Sequence, residues 1–98
     1  MATVEFAFMR PVGSAGIDEA KPQTVEVETS SASNAATTAG ATAAGDACVV
    51  TVTGGNVYVS FGSAPNAGTD ANRRLVVDGT SRAFGGLSAG DLGACIDA

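Results

Sequence analysis

Residues 48–62 read Cys-Val-Val-Thr-Val-Thr-Gly-Gly-Asn-Val-Tyr-Val-Ser-Phe-Gly, and the reading of this stretch decides the fold. Two alternating, β-branched runs flank Gly54-Gly55, a pair that can supply the positive φ values of a two-residue type I′ turn. The expectation is a β-hairpin in which Thr53 faces Asn56, Val52 faces Val57, Val50 faces Val59 and Cys48 faces Phe61. That register makes one face apolar throughout and leaves Val49, Thr51, Tyr58 and Ser60 to solvent or a partner.

Upstream of the hairpin, Thr3 to Met9 alternates Val4, Phe6 and Phe8 against Thr3, Glu5 and Ala7, the pattern of a half-buried strand that Pro11 ends. A loop follows through Gly13, Ser14, Gly16 and Asp18-Glu19 to Lys21-Pro22. Two readings of this opening stand: the strand completes the domain's own sheet, or residues 1–22 form an N-terminal arm that adds to a neighbour's sheet edge. Gln23 to Thr29 is a second strand, with Val25 and Val27 inward and Thr24, Glu26 and Glu28 outward, where glutamates guard an edge against wrong pairing. Residues 30–45 are an uncharged run of Ser, Ala, Thr, Asn and Gly without an apolar stripe, so a long loop with a short strand around Ala35 to Thr38 is expected. Small side chains allow close packing, and contact with another subunit would order this loop.

Downstream, Gly62 to Asn72 is rich in turn formers. Arg73 to Asp78 is a strand with Leu75 and Val77 on one face, and Asp78-Gly79 turns the chain. Arg82 to Leu87 is a short strand broken at Gly85-Gly86, and Gly93 to Asp97 is the last strand. Seven or eight short strands with regularly spaced turns imply an all-β fold, a small antiparallel β-sandwich or jelly roll spanning residues 1–98 as one domain.

Composition narrows the function. A chain of 98 residues buries roughly two-thirds of its unfolded surface, so help from neighbouring subunits is plausible. Aromatic residues are 5% of the chain, which implies a thin core of Val, Leu, Ile and Phe. The net charge is −5 and no basic stripe is present, which argues against direct binding of nucleic acid. Residues 47–69 are uncharged but interrupted by Gly and Pro, so no membrane-crossing helix is expected, and the opening Met-Ala-Thr-Val-Glu lacks the pattern of a signal peptide. The protein is expected to remain in the cytoplasm or to leave it without secretion. Cys48 and Cys95 lie too far apart for a metal or redox motif; buried free thiols and a disulfide to the last strand are the two readings.

Histidine is absent, which removes the commonest general base and zinc ligand. Lys21, the single lysine, lies beside a proline in a polar loop, and most carboxylates fall in turns or on outward strand positions. The glycine pairs match neither phosphate-binding nor dinucleotide-binding motifs, and Asp70-Ala-Asn72 with Asp78-Gly79 lacks the spacing of a calcium loop. The chain is expected to be no enzyme and to need no cofactor or metal. Arg73, Arg74 and Arg82 form the one basic cluster, either a docking point for an acidic neighbour or a solvated strand edge.

From about Asp46 onward, Val-Thr-Val-Thr, Gly-Asn-Val-Tyr-Val-Ser-Phe-Gly, the Ser-Ala-Pro-Asn-Ala turn, Arg-Arg-Leu-Val-Val-Asp-Gly-Thr and Phe-Gly-Gly-Leu-Ser-Ala-Gly-Asp together cover about half of the chain. This part resembles a family of small tailed-phage structural proteins encoded near head genes. The resemblance implies a capsid cement, or decoration, protein on the outer surface of the head, often trimeric, assembled in the host cytoplasm and bound to the major capsid protein and to copies of itself. Val4, Phe6, Phe8 and Arg10 in the opening segment, and Ser31, Asn34 and Thr37 in the loop, are the expected contact residues, with Arg73, Arg74 and Arg82 as polar anchors. A neck, tail or fibre-base component is the alternative within structural proteins. A carbohydrate-binding module is the alternative outside them, with Tyr58 as its one outward aromatic.

Overall fold

The computed structural model describes residues 1–10 and 24–98. Eight strands lie in these residues: β1 (Thr3–Met9), β2 (Thr24–Thr29), β3 (Ala35–Ala36), β4 (Asp46–Thr53), β5 (Val57–Gly62), β6 (Arg74–Val76), β7 (Ser81–Leu87) and β8 (Leu92–Asp97). They form two four-stranded antiparallel sheets, ordered β2-β1-β4-β7 and β3-β8-β5-β6. The expected all-β sandwich is what is observed. The loop expected through Gly13, Ser14, Gly16 and Asp18-Glu19 to Lys21-Pro22, and Gln23 at the expected start of the second strand, lie outside the described residues.

The hairpin is not formed. β4 pairs with β1 and β7, and β5 pairs with β8 and β6, so Gly54-Gly55 carries the chain from one sheet to the other. Val52 lies opposite Val4 rather than Val57, Val50 opposite Phe6, and Cys48 opposite Phe8. The glycine pair itself explains part of this, because only Gly54 takes a positive φ (101°), whereas a type I′ turn needs two. Neighbouring polar groups fix the crossing: Gly54 N–H donates to Asp78 Oδ1 at 2.8 Å, and Asp78 N–H donates to Asn56 Oδ1 at 2.9 Å.

Packing supplies the reason. A hairpin would set the two apolar stripes side by side on one face of a single sheet, where neither covers the other. Crossing between sheets turns them to face one another, which buries both in two layers. Val50, Val52 and Cys48 on β4 and Val57 on β5 are 0% exposed, so the apolar positions read inward are inward. Ser60, read as outward to solvent, is buried instead.

β1 is a central strand with partners on both sides, so the arm reading is corrected for residues 3–9. Val4, Phe6 and Phe8 fill the space between the sheets, where Phe61 meets Phe6 and Phe8 edge-on at centroid distances of 6.2 and 6.3 Å. At the other end of the sheet, Asp46 pairs with Leu87 and Cys48 with Phe84, so β7 carries one residue more than β4 between these pairs. Gly85-Gly86 is therefore a bulge within a continuous strand rather than a break, with Gly86 at φ 70°.

On β2 the facing assignment reverses, and on β6 the shared face of Leu75 and Val77 proves to be the outer one. The β1–β2 register sets Glu26 beside Phe6 and Val27 beside Glu5, which turns Val25 and Val27 outward and Thr24, Glu26 and Glu28 toward the interlayer side. The Glu26 carboxylate there accepts from Thr38 N–H at 2.9 Å, Thr38 Oγ1 at 2.6 Å and Ala39 N–H at 3.1 Å, holding the loop after β3. On β6, pairing with Val57 makes Val76 the inward residue, and Leu75 and Val77 face out.

Candidate contact surface

The two outer faces of the sandwich differ. Over β5 and β8 the connection 63–73 lies across the sheet and buries Ala67, Ser60 and Ala94. Asp70 secures it, accepting from Ser60 Oγ and from Asn66 N–H at 3.0 Å. Asn34 joins it to the chain before β3, donating to the Pro65 carbonyl at 3.2 Å and accepting from Ala67 N–H at 2.8 Å. Arg73 lies 4.0 Å above the Tyr58 ring while donating to the Ala67 and Gly68 carbonyls. The loop thus covers this face over β5 and β8, while Leu75 and Val77 at the β6 margin stay 41% and 48% exposed.

The outer face of β2-β1-β4-β7 has valines at its β2 margin: Val25 is 49% and Val27 58% exposed. Rows read directly from the pairing give Val25, Ala7, Val49 and Ala83 across the sheet, and beside them Val27, Glu5, Thr51 and Ser81. Exposed branched side chains on a strand that ends the sheet among the described residues cost solvation that a partner would relieve.

Between the layers, the three-residue β6 and the bulge in β7 leave a cleft of about 310 Å³. Phe61 and Phe84 stack tilted in it, 5.1 Å between centroids, and Arg74 and Asp91 also line it. In the sequence the Gly85-Gly86 pair was a signal for it; the shortness of β6 was not, since Arg73 to Asp78 read as one strand.

The residues expected to make contacts are dispersed by the fold. Val4, Phe6 and Phe8 are interior and unavailable to a partner, because their side of β1 faces the opposing sheet. Thr37 is also buried, its N–H donating to Gly93 O at 2.8 Å and its Oγ1 accepting from Gly93 N–H at 3.1 Å. Ser31 bonds within its own turn to Ser33, and Asn34 ties two loops. Arg10 is exposed and its Nε lies 3.4 Å from Asp46 Oδ1. Arg74 donates to the Asn72 and Arg73 carbonyls; Arg82 donates to Leu75 O at 2.8 Å and lies 5.3 Å from the Phe84 ring. Arg74 and Arg82 remain exposed on the β6/β7 side, opposite the glutamates of β2.

Charge is arranged for rigidity. Asp46 is 1% exposed; burial pushes its carboxyl up, but donors from Thr42, Ala43 and Arg10 prevail and hold it below the usual carboxylate range. Glu26 is lowered chiefly by the Thr38 hydroxyl, and Asp97 chiefly by the Ser30 hydroxyl. Both thiols are free and buried; burial pushes Cys48 up to about 12, and burial together with Glu28 and Asp97 pushes Cys95 up to about 11. Among the described residues no group of three or more His, Cys, Asp or Glu is placed to hold a metal, and no helix is long and apolar enough to cross a membrane.

No family model matches the chain, and neither a curated protein nor a solved structure matches it.

Proposed function

We propose that this protein is a virion structural protein of a tailed bacteriophage, a capsid cement (decoration) protein that binds the outside of the head and strengthens contacts between major capsid proteins. The resemblance from Asp46 onward motivates the class. The observation that carries a contact role is the exposed Val25/Val27 margin, a solvent-facing apolar strip at one end of the β2-β1-β4-β7 sheet. A cement protein works by burying surface across neighbouring subunits, so separating the subunits also requires breaking the cement contacts. A module held internally by Asp46, Glu26, Asp70 and Asn34 presents that surface without an ordering cost. An acidic protein outside the shell is also not drawn to packaged DNA.

Retention of the purified protein on isolated heads, with Val25→Lys and Val27→Lys as variants, tests the proposal. Saturable binding to heads that both variants weaken is the expected result. Binding to tails but not heads would favour the neck or tail alternative and overturn this one. So would binding of the isolated protein to glycans, although Arg73 over the Tyr58 ring leaves that side of the aromatic unable to stack on a sugar.

A further inference from the structure

We infer that the β2-β1-β4-β7 sheet is a self-complementary tile, in which the edges of β2 and β7 that have no strand partner among the described residues pair with one another between copies, β2 of one with β7 of the next, head to tail. Both strands end the same sheet and are of similar length, six and seven residues. Each pair across the sheet is antiparallel, so directions alternate and β2 runs opposite to β7. A second copy placed alongside with its strands pointing the same way therefore sets its β7 antiparallel to the first copy's β2. The sheet continues across the junction without a break in its pattern.

The rows carry complementary side chains. Glu26, Phe6, Val50 and Arg82 form one row across the interlayer side of the sheet. Joining the tile in register brings Arg82 of one copy opposite Glu26 of the next, with Glu28 diagonal to it. On the outer side the same register sets Val25 opposite Ala83 and Val27 opposite Ser81, which shelters the exposed valines. A two-fold arrangement would pair β2 with β2 or β7 with β7, setting glutamates near glutamates or the arginines near one another. Like charges directly opposite disfavour it. Charge thus selects the head-to-tail mode, which closes into a ring or runs on as a chain. The inference concerns the isolated protein and stands apart from what the assembled form binds, so failure on heads leaves it intact.

Sedimentation of the full chain over a concentration series, up to millimolar, tests it with Glu26→Arg and Arg82→Glu. Wild type should associate, and each single variant should weaken association by about two- to thirtyfold, an attraction turned into a repulsion at each junction. An equimolar mixture of the two variants should restore association, because each supplies the charge the other needs. Glu26 also holds Thr38 and Ala39, so Glu28→Arg serves as its substitute if circular dichroism shows that variant misfolded. A wild type that stays monomeric would overturn the inference. So would association unchanged in all variants, or a mixture of well-folded variants no better than either alone.

Discussion

Replacing Gly93 with alanine should destabilise the protein by forcing the two layers apart. Gly93 lies on β8 opposite Phe61, and a Cβ built there would be 2.6 Å from Phe6 Cδ1 and 2.7 Å from Cε1. Phe6 belongs to the other sheet, is 0% exposed and is flanked by Phe61, so its ring has little room to retreat. Overpacking of this kind costs about 1–3 kcal/mol. In a domain of this size each kcal/mol lowers Tm by about 4–8 °C. Phe6→Leu alone should cost about 1–2 kcal/mol through lost core contacts. Combined, the two changes should cost less than their sum, since the smaller side chain yields the volume the new methyl needs. Coupling on the order of 1 kcal/mol is expected for residues in contact. Urea denaturation followed by far-ultraviolet circular dichroism of the wild type, both single variants and the double variant yields the cycle. Strict additivity would show that Phe6 and Gly93 do not meet, and the arrangement of layers derived from Gly54-Gly55 crossing between sheets would be refuted.

Acid should loosen the fold in a defined direction. Asp46, Glu26, Asp70 and Asp97 all titrate below their ordinary range in the folded chain. Their contribution is therefore complete above the unfolded carboxylate value of about 4 and lost as pH falls through the lower folded values. Thermal melts from neutral to acid pH should show Tm falling in that window, with Asp46→Asn less stable at neutrality and shallower in its acid slope; an unchanged slope would remove Asp46 from this role. Both thiols should resist alkylation at pH 8 in the folded protein and react once urea unfolds it, as read by mass spectrometry. Rapid labelling of folded Cys48 or Cys95 would contradict their burial between the sheets.

The alternation in residues 48–62 was enough to identify the inward side chains of β4 and β5, and Thr3–Met9 was legible as a strand to the residue. Which strand lies beside which was not legible, because a hairpin and a crossing between layers demand the same alternation. Local turn chemistry favoured the hairpin; burying two apolar stripes in two layers favoured the crossing. Val25 and Val27 misled for a related reason. In an isolated strand valine outranks glutamate for the interior, yet the register to Phe6 and the Glu26 bonds to Thr38 and Ala39 reverse the faces. The contact surface was legible only as a class. Val4, Phe6 and Phe8 looked available while β1 could be an arm, and pairing on both sides made them core. The Glu26–Arg82 row could not have been seen before the register, since it spans three strand pairings distant in sequence.

The cement reading meets its most direct test in the copy number of this chain per virion, measured by quantitative mass spectrometry against the major capsid protein. The proposal expects a number that scales with the capsid lattice, many copies spread over the head. A number fixed by a single ring at the neck or tail would contradict it.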